Sequence, residues 1–236
     1  MHTAMALPGP TLCVEVGVTA LRAQLVDERG APIEERHRLA LPRTQPPKIV
    51  VEAVAELAGL YEHYERLSLG FPGVVMDGVV REAPSHDPAW SDFALERALS
   101  VRLERLVRVA NAADMQGLGI VEGKGVELVL TFGVGLGSAL FVDGRLVPNL
   151  QLGRHPFRKK RSYDEYVGHS ALKAAGAKRW GRRVIRVVEQ VLPIWNPRVL
   201  YLGGPNAKRI PTSLPPGVQR VSGTTGLAGG FRLWDH

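Results

Sequence analysis

The chain has 236 residues, 45% apolar and 22% charged, with a net charge of +7 and one cysteine, Cys13. These values exclude wholesale disorder, an internal disulfide and a cysteine-built zinc site, and no apolar run reaches the ~18 residues of a membrane span. Met1–Pro10 has no Lys or Arg ahead of an apolar run, so it reads as a frayed tail and not a secretory signal; a cytoplasmic protein of one large or two small domains is expected.

In chain order, residues 11–16 and 20–26 are apolar runs separated by Gly17-Val18-Thr19, the pattern of a β-hairpin. Ile33–Ala40 follows as a third strand, and Pro42, Pro46 and Pro47 break the pattern. From Lys48 to Arg66 the apolar residues Val50, Val54, Leu57, Tyr61 and Tyr64 recur with helical spacing, which predicts one amphipathic helix. Leu67–Phe71 reads as a strand closed by Pro72-Gly73, Gly78–Trp90 as loop, Ser91–Arg102 as helix and Leu106–Ala110 as strand. Asn111 is a good N-cap for a helix beginning there. Strands are predicted at Glu127–Phe132 and Gly137–Val142. A helix carrying Val184, Val187, Val188 and Val191 ends at Pro193 and Pro197, before a strand at Val199–Leu202 that runs into Gly203-Gly204.

The positive charge is concentrated. Between Arg154 and Gln190 eleven Lys/Arg face three acids, Asp164, Glu165 and Glu189, so this segment carries more than the whole chain's net charge of +7. Such a block suggests a polyanion partner, with a solvated helix face as the plain alternative. Its densest run is Arg158-Lys159-Lys160-Arg161. The seven histidines show no metal-ligand spacing.

An internal repeat is also visible. Residues 17–27 match 133–143 at five of eleven positions, which suggests two similar domains and a cleft between them. The second copy opens the stretch Thr131-Phe-Gly133-Val-Gly135-Leu-Gly137-Ser138. Glycines at alternate positions let a backbone approach a ligand and turn its N–H groups toward an anion. Gly17-Val18-Thr19 is a weaker candidate of the same kind.

With Phe71-Pro-Gly-Val-Val75, Asn111-Ala-Ala-Asp114, Thr131–Ser138, Val147-Pro-Asn-Leu-Gln-Leu-Gly153, His155-Pro-Phe-Arg158 and Tyr201-Leu-Gly-Gly204 in view, the chain resembles the ROK family of sugar kinases, in its polyphosphate glucokinase branch. The resemblance runs from about Leu12 to Trp234. It implies an α/β chain with the actin-like ATPase fold, two ribonuclease-H-like domains around a cleft: residues 1–110, then 111–223, with 224–236 packing back on the first. It implies phosphoryl transfer from ATP or polyphosphate to glucose with magnesium, and a homodimer. Phosphate contacts are expected from Gly17, Thr19, Thr131, Gly133, Gly135, Gly137, Gly203 and Gly204. The sugar pocket is expected from Gly73, Asn111, Gln151, Arg154 and His155. Glu15 is expected to reach magnesium through water, and Arg158, Lys159, Lys160 and Arg161 to hold a polyanion.

The departures from the family pattern are informative. The family's Asn-Asp pair, sugar ligand and general base, reads Asn111-Ala112 here, and alanine accepts no proton. Asp114, two residues on, belongs to another helix face. The family's Glu-x-Gly-His reads Gln151-Leu-Gly-Arg154. The first phosphate loop has Glu15 for Asp and Val18 for Gly; the second has Val134 for Thr; Pro205 follows Gly204 where a third glycine is common. Losses at base, sugar and phosphate contacts imply a pseudokinase that binds a sugar or polyphosphate and pairs with itself or an active paralogue. A working kinase with a rearranged site and a polyanion- or nucleic-acid-binding protein are the alternatives. Nucleic acid is disfavoured, because the family's repressors carry a helix-turn-helix and there is no room for one before Leu12.

Overall fold

A computed structural model describes residues 9–84, 86–221 and 227–235. Residues 1–8 of the expected tail, His2, His236 and residues 222–226 lie outside the described residues. The chain divides into two compact units, residues 1–119 with 227–236, and residues 120–226. The helix capped by Asn111, assigned from sequence to the second domain, therefore belongs to the first unit.

The first unit runs β1 (Thr11–Val16), β2 (Ala20–Val26), β3 (His37–Ala40), α1 (Pro47–Ala58), β4 (Arg66–Phe71), β5 (Val74–Met76), β6 (Val79–Glu82), α2 (Leu95–Leu103), β7 (Leu106–Asn111) and α3 (Ala112–Leu118). Its main sheet has the order β3-β2-β1-β4-β7. β1 to β3 form an antiparallel meander, and β4 and β7 run parallel to β1. Parallel neighbours need helical crossovers, which cover the sheet. Val50, Val54 and Leu57 of α1 and Leu95 and Leu99 of α2 pack on Leu12, Val14, Leu67 and Leu69. Trp90 is fully buried, and its indole donates to the Gln45 carbonyl at 2.7 Å. A 3-10 segment, Leu227–Trp234, returns to this unit, where Leu227 packs with Cys13 and Met115. The Arg66 and Arg108 guanidiniums both lie over the Trp234 ring, 5.0 and 4.8 Å from its centroid, and its indole donates to the Ser68 hydroxyl at 2.8 Å.

The second unit runs β8 (Val126–Phe132), β9 (Leu136–Val142), β10 (Arg145–Val147), β11 (Pro156–Arg158), β12 (Arg161–Ser162), α4 (Tyr163–Val167), α5 (His169–Ala175), α6 (Ala177–Trp195), β13 (Val199–Gly203) and β14 (Val218–Arg220). Its sheet order, β10-β9-β8-β13-β14, repeats that of the first unit, with the same antiparallel meander and the same two parallel neighbours. The sequence repeat is thus a repeat of topology. Trp180, Val184, Val187, Val188 and Val191 of α6 cover Leu128, Leu130, Leu200 and Leu202.

Four sequence expectations need correction. α1 stops at Ala58, not Arg66. Tyr61 kept the helical period because its ring is buried, but its hydroxyl donates to the Ala23 carbonyl at 2.9 Å from a turn. The loop expected over Gly78–Trp90 contains half of a hairpin, β5–β6, turning at Asp77-Gly78 with φ of 51° and 72°. Asp-Gly between Val-Val-Met and Val-Val was the available signal. α2 begins at Leu95, not Ser91, because Asp92 is left-handed at φ 56°. α6 passes through Pro193 to Trp195, with Pro193 donating no helical hydrogen bond of its own.

Glu127 is fully buried in the second unit. It accepts from the backbone N–H groups of Glu122, Gly123 and Lys124, from Arg198 and from the Tyr201 hydroxyl. Burial opposes its ionisation, but these donors outweigh burial and hold the carboxyl below the usual range. Its contribution is therefore full above the ordinary glutamate pKa and is lost as pH falls through the lowered value. Glu127→Gln should cost about 1–3 kcal/mol in urea unfolding at pH 7, and the difference should shrink below about pH 4. Equal stability at pH 7 would contradict this role.

Candidate functional site

Because β1, β4 and β7 run parallel, their C-terminal ends share one edge of the sheet. That edge carries the turn Gly17–Thr19, the Phe71-Pro72-Gly73 turn and the start of α3, and ligands of such sheets bind beyond the carboxyl ends of the strands. Parallel pairing of β8 and β13 likewise brings the Gly133–Gly135 turn and Gly203-Gly204 to one edge of the second unit.

In the first unit the Gly17 N–H donates to the Ala20 carbonyl at 3.0 Å, closing the hairpin, while Val18 and Thr19 are exposed at its tip. Glu15 is half-buried, and its carboxylate accepts from Gln116 of α3 at 2.9 Å. Burial pushes its pKa up, against the pull of Arg22, its cross-strand partner, and of Arg36. The Asn111 side chain accepts from the N–H groups of Ala113 and Asp114 at 2.8 and 3.2 Å, capping α3 as expected, and donates to the Gly73 carbonyl at 2.7 Å. The residue expected to bind sugar thus also ties the Phe71–Gly73 turn to the helix. Ala112 is the first residue of α3 and half-buried, whereas Asp114 is 1% exposed and set into the interior.

In the second unit Thr131 of β8 pairs with Gly137 of β9 and Gly203 of β13, so three expected phosphate-contact residues are neighbours across three strands. The hairpin tip is closed by the Gly133 N–H on the Gly135 carbonyl at 3.1 Å, and Asn206 donates to the Gly133 carbonyl at 3.1 Å. Gly204 has a φ of +85°, and a Cβ there would lie 2.6 Å from the Phe132 nitrogen, so only glycine fits. The Pro205 ring faces Gly133, and Val134 is 64% exposed at the tip. Gln151 opens a 3-10 turn, Leu152–Arg154, and His155 is exposed just beyond it.

Sequence reasoning gave no role to Asp164. Its carboxylate accepts from the Leu136 N–H at 2.5 Å. Side chains at Gly135, Gly153 and Gly168 would collide either with this carboxylate or, at Gly168, with the Asp164 and Val134 carbonyls, at 2.4–2.6 Å. Asp164 thus ties the Gly133–Gly135 hairpin to α4 through the Leu136 N–H, lies against Gly153, and accepts the Gly168 N–H on its backbone carbonyl at 2.7 Å. Burial raises its pKa, while the Leu136 N–H and the Arg154 charge pull it down. The only sequence signals were an acidic pair, Asp164-Glu165, in a basic segment and glycines distant along the chain.

The pattern that defines the ROK family matches residues 11–151, and the chain belongs to that family. Its architecture is the actin-like ATPase fold shared by that family's kinases. The chain is similar to a polyphosphate glucokinase of Mycobacterium tuberculosis (strain H37Rv), 28% identical over 235 residues, with 91% of this chain and 88% of that protein covered. Against the Mycobacterium leprae polyphosphate glucokinase identity is also 28%, and the match spans 86% of this chain but 65% of the relative's length. The crystal structure of the inorganic polyphosphate/ATP-glucomannokinase from Arthrobacter sp. strain KM matches with a TM-score of 0.86 at 27% identity, covering 95% of this chain and 98% of that one. A ROK family glucokinase from Streptomyces griseus in complex with glucose and AMPPNP matches in fold, with a TM-score of 0.82 at 18% identity and coverage of 95% and 99%.

Two expectations follow from this geometry. Asp164→Ala should raise the exchange rate of the Leu136 amide at least about tenfold, the equivalent of ~1.4 kcal/mol, with little effect on amides of the first unit; an unchanged Leu136 rate would remove Asp164 from its anchoring role. Glu15 has its pKa raised on folding, so the ionised form costs stability above that value and nothing below the ordinary glutamate pKa. Glu15→Gln should therefore melt at or above the parent temperature at pH 8, with the gain fading toward pH 4; a loss at pH 8 would show that Arg22 and Arg36 dominate.

Proposed function

We propose that this chain is a ROK-family protein of the polyphosphate glucokinase type that binds a sugar and a phosphate donor but transfers the phosphoryl group poorly or not at all. The observation that carries the reading is Ala112 at the first position of α3, directly after Asn111. The family resemblance puts the general base at this position, and alanine cannot accept the proton of an attacking hydroxyl. Asp114 does not replace it, because it is buried two residues along the helix. Loss of a positioned base lowers rates by about 10²–10⁴-fold.

Other features support the same reading. Gln151 and Arg154 stand where the family has Glu and His, so the sugar side gains a fixed cation and loses a carboxylate. Both hairpin tips present an exposed valine, Val18 and Val134, in place of a glycine and a hydroxyl. The hairpins themselves are intact, and their backbone N–H groups suit an anion. Among the described residues no group of three His, Cys, Asp or Glu could hold a metal ion. Glu15 is the one acid at the first hairpin that fits magnesium, and magnesium ordinarily combines one or two carboxylates with the donor's own phosphates. Bound there, magnesium would neutralise phosphate charge; Glu15 would orient it, and Gln116 would orient Glu15.

The test is calorimetric titration of the full chain with glucose, magnesium-ATP and polyphosphate, followed by a coupled glucose phosphorylation assay beside an active family member. Binding is expected with turnover at least about 10²-fold below that member's. Ala112→Asp alone should restore little, and addition of Gln151→Glu and Arg154→His should raise the rate further. Parent turnover equal to the active relative's would overturn the reading and establish a rearranged but working kinase.

A further inference from the structure

One buried polar side chain of the first unit has no part in the chemistry described so far. Residues 41–46 connect β3 to α1, and Pro42, Arg43 and Thr44 are exposed, yet Gln45 is only 6% exposed. Its amide nitrogen donates to two carbonyls, Val18 at 2.6 Å and Pro42 at 3.1 Å. Its Oε1 is buried and accepts no hydrogen bond among the described residues. Reversal of the amide would set that oxygen against two carbonyl oxygens, so the donors fix the orientation of the group. The backbone is held as well. Pro46 disfavours helical conformations at the residue before it. The Gln45 carbonyl accepts from the Trp90 indole at 2.7 Å, and the Trp90 ring packs on Phe71 with centroids 4.5 Å apart.

Val18 stands at the tip of the β1–β2 hairpin. A trans peptide sets a carbonyl and the following N–H on opposite sides. Drawing the Val18 carbonyl inward to Gln45 therefore turns the Thr19 N–H outward. The Thr19 carbonyl is drawn in beside it by the Leu41 N–H at 2.9 Å. Val18 and Thr19 are exposed, and their N–H groups have no hydrogen-bond partner among the described residues. The Gly17 N–H is spent on the Ala20 carbonyl, so the capacity of this tip for an anion rests on those two groups. The second hairpin shows the same arrangement at the equivalent position of the repeat. There the Val134 carbonyl accepts from the His169 N–H at 2.9 Å. A backbone donor holds that tip and a side chain holds the first, so only the first is released by changing a single side chain.

We propose that Gln45 is a positioning residue for the phosphate donor: its side chain sets the Val18–Thr19 peptide so that the Thr19 N–H faces a phosphate group. Gln45 acts from beneath the tip and does not touch the ligand. The inference rests on the reading that a phosphate donor binds this protein.

Two variants separate donation from reach. Gln45→Met keeps the length and removes the N–H groups, whereas Gln45→Asn keeps the amide but is one methylene too short for the Val18 carbonyl. Both leave the backbone bond to Trp90 in place, and circular dichroism reports folding. The isotope-labelled full chain is titrated to saturation with magnesium tripolyphosphate, and the amide resonances of Val18, Thr19, Val134 and Gly135 are followed. In the parent the Thr19 resonance is expected to shift on binding. In each variant it should lose most of that shift, while Val134 and Gly135 reach the same end points as in the parent. Loss confined to the first hairpin marks positioning, because general destabilisation would disturb both. A parent-like Thr19 shift in either folded variant, an equal change at both hairpins, or failure of both variants to fold overturns the proposal. A parent in which tripolyphosphate shifts Val134 and Gly135 but not Thr19 overturns this inference alone. A parent in which no resonance responds overturns it together with the reading on which it rests.

Discussion

Parallel pairing is the constraint on which the rest of the molecule depends. β4 and β7 run alongside β1, and β13 runs alongside β8. Once that direction is set, the Gly17–Thr19 turn, the Phe71–Gly73 turn and Asn111 must share one sheet edge, and the Gly133–Gly135 turn must share an edge with Gly203-Gly204. Each crossover must also pass over a face of its sheet. This explains the strands that read as unbroken apolar runs, such as β13, those buried along their whole length, such as β4, and the helices that bury one valine- or leucine-rich stripe. The functional edges are therefore a result of topology, furnished afterwards by individual side chains.

Topology was the part most open to reading from sequence. The repeat of residues 17–27 at 133–143 suggested two similar domains, and the two sheets share one strand order; the hairpin was legible because it is a local object. Asn111 was legible as a cap for the same reason. The failures came where a long-range contact overrode a local pattern. Tyr61 sits on the helical period yet bonds Ala23 on a neighbouring strand. Asp164 was invisible because its meaning lies in glycines 29, 11 and 4 residues away, which sequence spacing does not connect. The Asp77-Gly78 turn was readable but outweighed by the prolines after it.

The side chains at the two edges divide by the work they do. Asn111, Gly204 and Asp164 hold backbone in place, and each has hydrogen-bonding or steric duties that its neighbours cannot assume. The Val18 and Val134 side chains are exposed at the hairpin tips, while their carbonyls accept from the Gln45 side chain at 2.6 Å and the His169 N–H at 2.9 Å. Gln116 on Glu15 fits the same division, since it makes a potential metal ligand part of the framework.

The return of Leu227–Trp234 to the first unit has a consequence for synthesis. Residues 227–235 leave the ribosome only after the entire second unit, and until then Cys13, Ser68 and Met115 lack the segment that covers them. The unit translated first is thus the unit completed last, whereas residues 120–226 are contiguous and can close on their own. The nascent chain carries an uncovered patch on its earliest portion throughout elongation, which places its window of greatest vulnerability to proteases and chaperones before release.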